Sequence, residues 1–149
     1  MKSGKKTKTA TAFVAAVLAA QLLTSIIATQ IVLADIQSFG LEVSFSGRIA
    51  ATLHDIAGLG MMLPILLVPA YLVAFTVAAL AKKYLGGNRA YWFIMAGFAS
   101  LPAVLLLLKS LLGAIPLAAA RTDFGILLTA LGGLAGGWLF SRLTRLGDD

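Results

Sequence analysis

The residues best suited to chemistry lie in one short stretch of the chain. His54, the only histidine, is followed directly by Asp55. A histidine and a carboxylate together can act in general acid–base catalysis or contribute to a metal site. Three more charged residues, Arg48, Arg121 and Asp123, are predicted to lie at the same end of the protein, so these five residues form the candidate outer-end site.

A catalytic or metal-binding role for this site lacks the partners that such chemistry needs. A nucleophilic triad requires an activated serine or cysteine, and the nearby Ser38, Ser44 and Ser46 do not lie in a G-x-S-x-G elbow. Zinc sites take three or four ligands, usually several histidines or cysteines, whereas this chain has one histidine and no cysteine. We therefore expect no metal, no cofactor and no enzymatic activity.

A structural role for the same residues is simpler. The spacing of Thr52 and Asp55 fits an N-terminal helix cap with an acidic residue in the first turn. Alternatively, His54 and Asp55 both lie on a helix that begins well before the membrane, because the pattern becomes helical from Ser46 onward. Both alternatives make the pair part of a helix end rather than a reactive centre.

The composition indicates which elements must position these residues. Of the 149 residues, 60% are hydrophobic and 12% are charged, against roughly 45–50% and 25% in soluble domains. Four apolar segments, at about 12–34, 56–81, 90–112 and 124–141, each approach the roughly 20 residues needed to cross a bilayer. The sequence predicts an all-α, four-helix transmembrane bundle that forms a single integral membrane domain over residues 1–149.

The distribution of charge predicts the orientation of this bundle. The net charge is +6, but its location beside the apolar segments is typical of a membrane protein and argues against nucleic-acid binding. The N-terminal segment, the second connection and the C-terminal tail carry nine lysines and arginines, whereas the first and third connections carry Arg48, Lys109 and Arg121. Because cytoplasmic loops are enriched in basic residues, both termini are predicted to be cytoplasmic, in a bacterial inner membrane.

A cleaved signal peptide is the alternative for the N-terminus. Several lysines precede the first apolar run, and "VLA" at 32–34 is an acceptable cleavage site. The run is longer than the roughly 7–15 residues of a signal core. It also contains the polar residues Gln21, Thr24 and Ser25, which suit a packed helix. The sequence therefore favours retention of this segment as the first span.

Small residues recur at helical spacing in all four spans. The motif "GGLAGG" in the fourth span is a doubled GxxxG, and such rows let helix backbones approach closely in lipid. Gln21, Thr24 and Ser25 share one face of the first span, which should point inward and form hydrogen bonds with a neighbour. The predicted residues of helix contact are Gly125, Gly132, Gly133, Gly136, Gly137, Gln21, Thr24 and Ser25.

The lack of charged residues deep in the predicted spans limits the functions that this protein can have. No Asp, Glu, Lys or Arg lies deep in a predicted span, although ion-coupled carriers usually need one. The leading interpretation is a small non-enzymatic membrane protein with a structural, accessory or regulatory role, which packs with itself or with a larger membrane complex. The alternatives are a small transporter or channel formed by an oligomer, and a membrane enzyme whose site surrounds His54 and Asp55.

Overall fold

Four long helices account for most of the chain. The computed structural model describes residues 2–113, 115 and 117–145, with side chains from residue 7 onward except those of residues 59–61. The described residues form no strand, which confirms the all-α prediction. The elements are α1 (Lys2–Ser38), α2 (Phe45–Leu85), α3 (Arg89–Leu112), a 3-10 segment (Ala118–Arg121) and α4 (Asp123–Arg145).

The helix ends follow local side-chain chemistry. The Asn88 side chain accepts a hydrogen bond from the Ala90 amide at 2.9 Å and caps α3, and Thr122 accepts one from the Gly125 amide at 3.0 Å and caps α4. Gly86 ends α2 with a φ of +72°, a conformation that glycine adopts at little cost. These two connections are therefore encoded locally.

The predicted cap at Thr52 is wrong. Ser44 caps α2 instead, accepting a hydrogen bond from the Gly47 amide at 3.1 Å. Thr52 lies two turns inside the helix, and its hydroxyl donates to the Arg48 carbonyl oxygen at 2.8 Å. The reason is that α2 begins at Phe45, far before its apolar part, so the earlier serine takes the cap position.

All four helices contain a segment long and apolar enough to cross a membrane. These segments are Thr7–Ser38, Met62–Leu85, Arg89–Leu112 and Asp123–Arg145. The first seventeen residues of α2 precede its apolar segment, which agrees with the expectation that this helix begins before the membrane.

The helices form a closed ring in chain order. Each one packs against its sequence neighbours, and α4 closes the ring by packing against α1. The two contacts that α4 makes, with α3 and with α1, are the most extensive in the bundle. We name the end with the α1–α2 connection and the 3-10 segment the outer end, and the opposite end the inner end.

Aromatic rings from all four helices fill the inner half of the core. Phe75 of α2 stacks on Phe140 of α4 with ring centroids 4.5 Å apart, and Phe93 of α3 lies 5.5 Å from Phe75 at a steep angle. Phe13 of α1 meets Phe75 edge-on at 6.2 Å. Edge-to-face and stacked pairs of this kind stabilise a core beyond the area they bury.

Candidate functional site

One glycine row of α4 lies directly against α3. A Cβ atom placed on Gly133 would collide with the carbonyl oxygen of Gly97, and one placed on Gly137 would collide with the carbonyl oxygen of Phe93. A Cβ on Gly97 would lie 2.9 Å from the Gly137 Cα. The α3 and α4 backbones therefore touch where both helices lack side chains, the contact that small residues permit between helices in lipid.

The second glycine row of α4 lies against α1. A Cβ atom on Gly132 would approach the Thr24 amide nitrogen to 2.8 Å, and one on Gly136 would approach the Ala16 carbonyl oxygen to 2.7 Å. Ala16, Ala20 and Thr24 are fully buried at this contact. Two glycine rows, offset by one residue, thus serve two different neighbours of the same helix.

Gly125 has a different neighbour from the other glycines of α4. A Cβ atom there would collide with the Ala119 carbonyl oxygen in the 3-10 segment, not with a spanning helix. Ala119 and Ala120 are buried, so this segment folds over the outer end of the bundle. Gly125 therefore accommodates a loop, although its spacing in the sequence placed it in the same row as Gly133 and Gly137.

Tyr71 links α2 to α4 through a hydrogen bond that the sequence analysis missed. Its hydroxyl donates to the Gly133 carbonyl oxygen at 2.8 Å, and its side chain is fully buried. Tyr84 and Tyr91 lie near helix ends, so Tyr71 is the tyrosine placed deep in a span. A hydroxyl at that depth in a membrane needs a hydrogen-bond partner within the protein. The position of Tyr71 in the middle of an apolar span could therefore have predicted this bond.

The polar face of α1 is buried, but its hydrogen bonds differ from the prediction. Gln21, Thr24 and Ser25 are each less than a tenth exposed. Their side-chain oxygens have no hydrogen-bond partner among the described residues, so the predicted bonds to a neighbouring helix are absent there. At Thr24 the facing surface is Gly132 of α4, inside a helix whose amides and carbonyls already bond to each other.

A polar network joins α1 and α2 near the outer end. The Thr29 hydroxyl donates to the Asp55 carboxylate at 2.8 Å. One Arg48 nitrogen donates to the Gln30 side-chain oxygen at 2.9 Å, and another donates to the side-chain oxygen of Gln37. The Gln30 amide in turn donates to the Thr52 hydroxyl at 3.3 Å. These contacts attach the start of α2 to the second half of α1.

The five residues of the candidate outer-end site have separate surroundings. His54 is exposed and has no hydrogen bond or ion pair with a described residue, because it points about 100° around the helix from Asp55. Arg121 and Asp123 are exposed beside the α3–α4 connection. Arg48 and Asp55 bond to different residues of α1. Within the described part of the chain, no group of three or more His, Asp or Glu side chains is placed to hold a metal ion.

An open apolar groove runs between α2 and α3 on the surface of the bundle. Its volume is about 550 Å³, and its walls are mostly alanine and valine. The α2 wall includes Ala70, Val73, Ala74 and Val77, and the α3 wall includes Ala96, Ala99, Ser100, Ala103 and Val104. We call this feature the α2–α3 groove.

The fold and its surface define the class of protein. Four apolar helices that carry large exposed hydrophobic side chains such as Ile65, Leu72 and Val73 form a multi-pass integral membrane protein. No family model, no curated protein and no solved structure matches the chain.

Proposed function

We propose that this chain is a non-enzymatic protein of the bacterial inner membrane that assembles with a second copy of itself through the α2–α3 groove. Its role is structural, accessory or regulatory. The observation that carries the proposal is the groove, a cleft lined by small apolar residues that faces outward from the bundle.

The distribution of small residues in the bundle supports this assignment. The glycine rows of α4 are occupied by α3 and α1, and are therefore unavailable to a partner. The alanines of the α2–α3 groove form small-residue surfaces like the glycine rows of α4, but no described helix packs into the groove between them. Surfaces of this kind let a further transmembrane helix approach closely.

The chemistry of the groove favours a second copy as its occupant. The lining has no charged side chain, and the hydroxyl of Ser100, its only polar residue, donates to the Gly97 carbonyl oxygen at 2.7 Å. An occupant must therefore be apolar. Val73 and Val77, each more than half exposed, form a ridge along one wall, so one surface offers both a groove and a ridge. Such self-complementarity is what a two-fold symmetric dimer requires.

The orientation and the membrane belong to the same proposal. Lys82 and Lys83 lie in the last turn of α2, Arg89 begins α3, and the end of α4 carries Arg142 and Arg145. Tyr84, Tyr91 and Trp138 lie near the same end of the bundle. Basic loops with adjacent aromatic residues are typical of a cytoplasmic interface, which supports cytoplasmic termini.

The absence of cysteine from the chain permits a direct test of self-assembly. Single-cysteine variants Val73→Cys and Ala99→Cys should form disulfide-linked dimers when membranes containing the protein are oxidised. Leu127→Cys, about equally exposed but on α4, is the matched control and should remain monomeric.

Three results would contradict the proposal. Monomers at both groove positions would mean that the two copies do not meet there. Equal cross-linking at Leu127 would reflect random collision in the membrane. A cross-linked product of another mass would identify a different protein as the occupant and would rule out self-assembly through this groove.

A further inference from the structure

A cavity at the inner end of the bundle concentrates arginines. It has a volume of about 590 Å³ and lies between the start of α3 and the end of α4. Its lining includes Arg89, Arg142 and Arg145, together with Asn88, Trp138 and Ser141. We propose that this arginine cavity binds the phosphate-bearing headgroup of an anionic phospholipid.

The charges of the cavity call for an anion. Arg142 and Arg145 form no ion pair with an acidic side chain in the part of the chain that the structure describes. Like charges held in one cavity repel each other, and an anion between them removes that repulsion. A guanidinium group also presents a planar fork of donors that matches the oxygens of a phosphate.

Two of the arginines are held in place by neighbouring side chains. Arg89 donates a hydrogen bond to the Thr144 hydroxyl at 2.8 Å, and its guanidinium lies 5.2 Å from the centre of the Phe93 ring. The Arg142 guanidinium lies 5.4 Å from the centre of the Trp138 ring. Because these contacts orient the side chains in advance, less conformational freedom is lost when an anion binds.

The location of the cavity favours a lipid over a soluble phosphate. The cavity lies where the apolar segments of α3 and α4 end, and Trp138, 46% exposed, lies there at the depth where tryptophan meets lipid headgroups. Basic pockets between transmembrane helices at this level suit anionic headgroups.

A second cavity lies across the bundle from the arginine cavity. It has a volume of about 800 Å³, lies between α1 and α2, and shares Arg89 with the arginine cavity. Its walls are largely apolar and include the rings of Phe13, Phe75, Phe93 and Phe140. The two cavities open on opposite sides of the helix ring, so the second one does not extend the arginine cavity, and the headgroup site is the arginine cavity alone.

The test compares two double variants that each remove two positive charges at the inner end. The delipidated full-length protein in neutral detergent is titrated with phosphatidylglycerol or with phosphatidylcholine, and bound lipid is counted by native mass spectrometry. The unmodified protein should prefer phosphatidylglycerol by about tenfold or more. Arg142→Gln/Arg145→Gln should lose this preference. Lys82→Gln/Lys83→Gln should keep it, because both lysines are exposed and lie outside the cavity lining.

Specific outcomes would overturn the proposal. An equal loss in both double variants would mean that the preference reflects diffuse charge. Displacement of the lipid by inorganic phosphate at equal concentration would indicate a site for free anions. If lipid bound only after Asp148→Asn/Asp149→Asn, the occupant would be the acidic tail of the chain itself, which lies outside the described residues. Should the arginine double variant lose helicity, Arg145→Gln alone takes its place and must weaken the preference.

Discussion

At the scale of single residues, His54 and Asp55 are adjacent in the sequence but have different surroundings in the structure. Asp55 is half-buried and accepts a hydrogen bond from Thr29, whereas His54 is exposed and makes none with a described residue. The difference arises because successive helical residues point about 100° apart, so only one of the two can face α1. Adjacency in the sequence suggested a pair, and helix geometry separates its members.

Substitutions at these two residues should therefore differ in effect. Asp55→Ala should lower the free energy of unfolding by about 0.5–1.5 kcal/mol, because it removes one acceptor of the buried Thr29 hydroxyl, which keeps the Ser25 carbonyl oxygen at 2.8 Å as its other acceptor. His54→Ala should be neutral within about 0.5 kcal/mol, as for most surface changes. Thermal unfolding in detergent measures both. In a Thr29→Val background Asp55→Ala should cost less, and an equal loss of stability from His54→Ala would contradict this assignment.

At the scale of elements, α4 organises the bundle. Gly133 and Gly137 face α3, while Gly132 and Gly136 face α1, so one helix has close backbone contacts on two sides. This geometry explains why the contacts of α4 with α3 and with α1 are more extensive than the contacts that α2 makes with the same two helices. Where no hydrophobic effect acts between helices, close approach is the main source of attraction, which makes these glycines the expected determinants of stability.

Leucine in either glycine row should therefore damage the fold. Gly133→Leu or Gly137→Leu must push apart two backbones already in contact, and each should cost about 1–3 kcal/mol or more. Gly58→Leu is the matched control, since a Cβ atom at that exposed helical glycine has nothing within 4 Å. Protein levels in membranes and melting temperature in detergent measure the effect. Unchanged values for both α4 variants would show that this contact does not stabilise the fold.

At the scale of the whole molecule, the ring order of the helices matches the short connections. An even number of spans puts the start of α1 and the end of α4 at the inner end of the bundle, together with the α2–α3 connection. The basic residues concentrate at that same end. Architecture alone leaves the orientation open, and the positive-inside bias favours the cytoplasm for the inner end.

Reporter fusions test this orientation. Fusions after Gly87 and after Asp149 should have cytoplasmic activity, and fusions near Ser44 and Ala119 should report the outside. The expected pattern follows from nine basic residues at the inner end against three toward the outer end. A cytoplasmic signal at Ser44 would reverse the assignment, and different sides for Gly87 and Asp149 would contradict four spans.

The sequence by itself determined the class of fold, because hydrophobic length and helix-end signals are local properties. Four spans, the turn at Gly86 and the caps at Asn88 and Thr122 follow from residue type and spacing alone. The tertiary structure decided what each side chain meets. It separated Gly125 from the other glycines, joined Asp55 to Thr29, and placed the Tyr71 hydroxyl on the Gly133 carbonyl oxygen. The Asp55–Thr29 and Tyr71–Gly133 contacts join residues far apart in the chain, and they depend on the rotation of each helix about its own axis. Hydrophobicity fixes that rotation weakly when both lipid and protein interior are apolar.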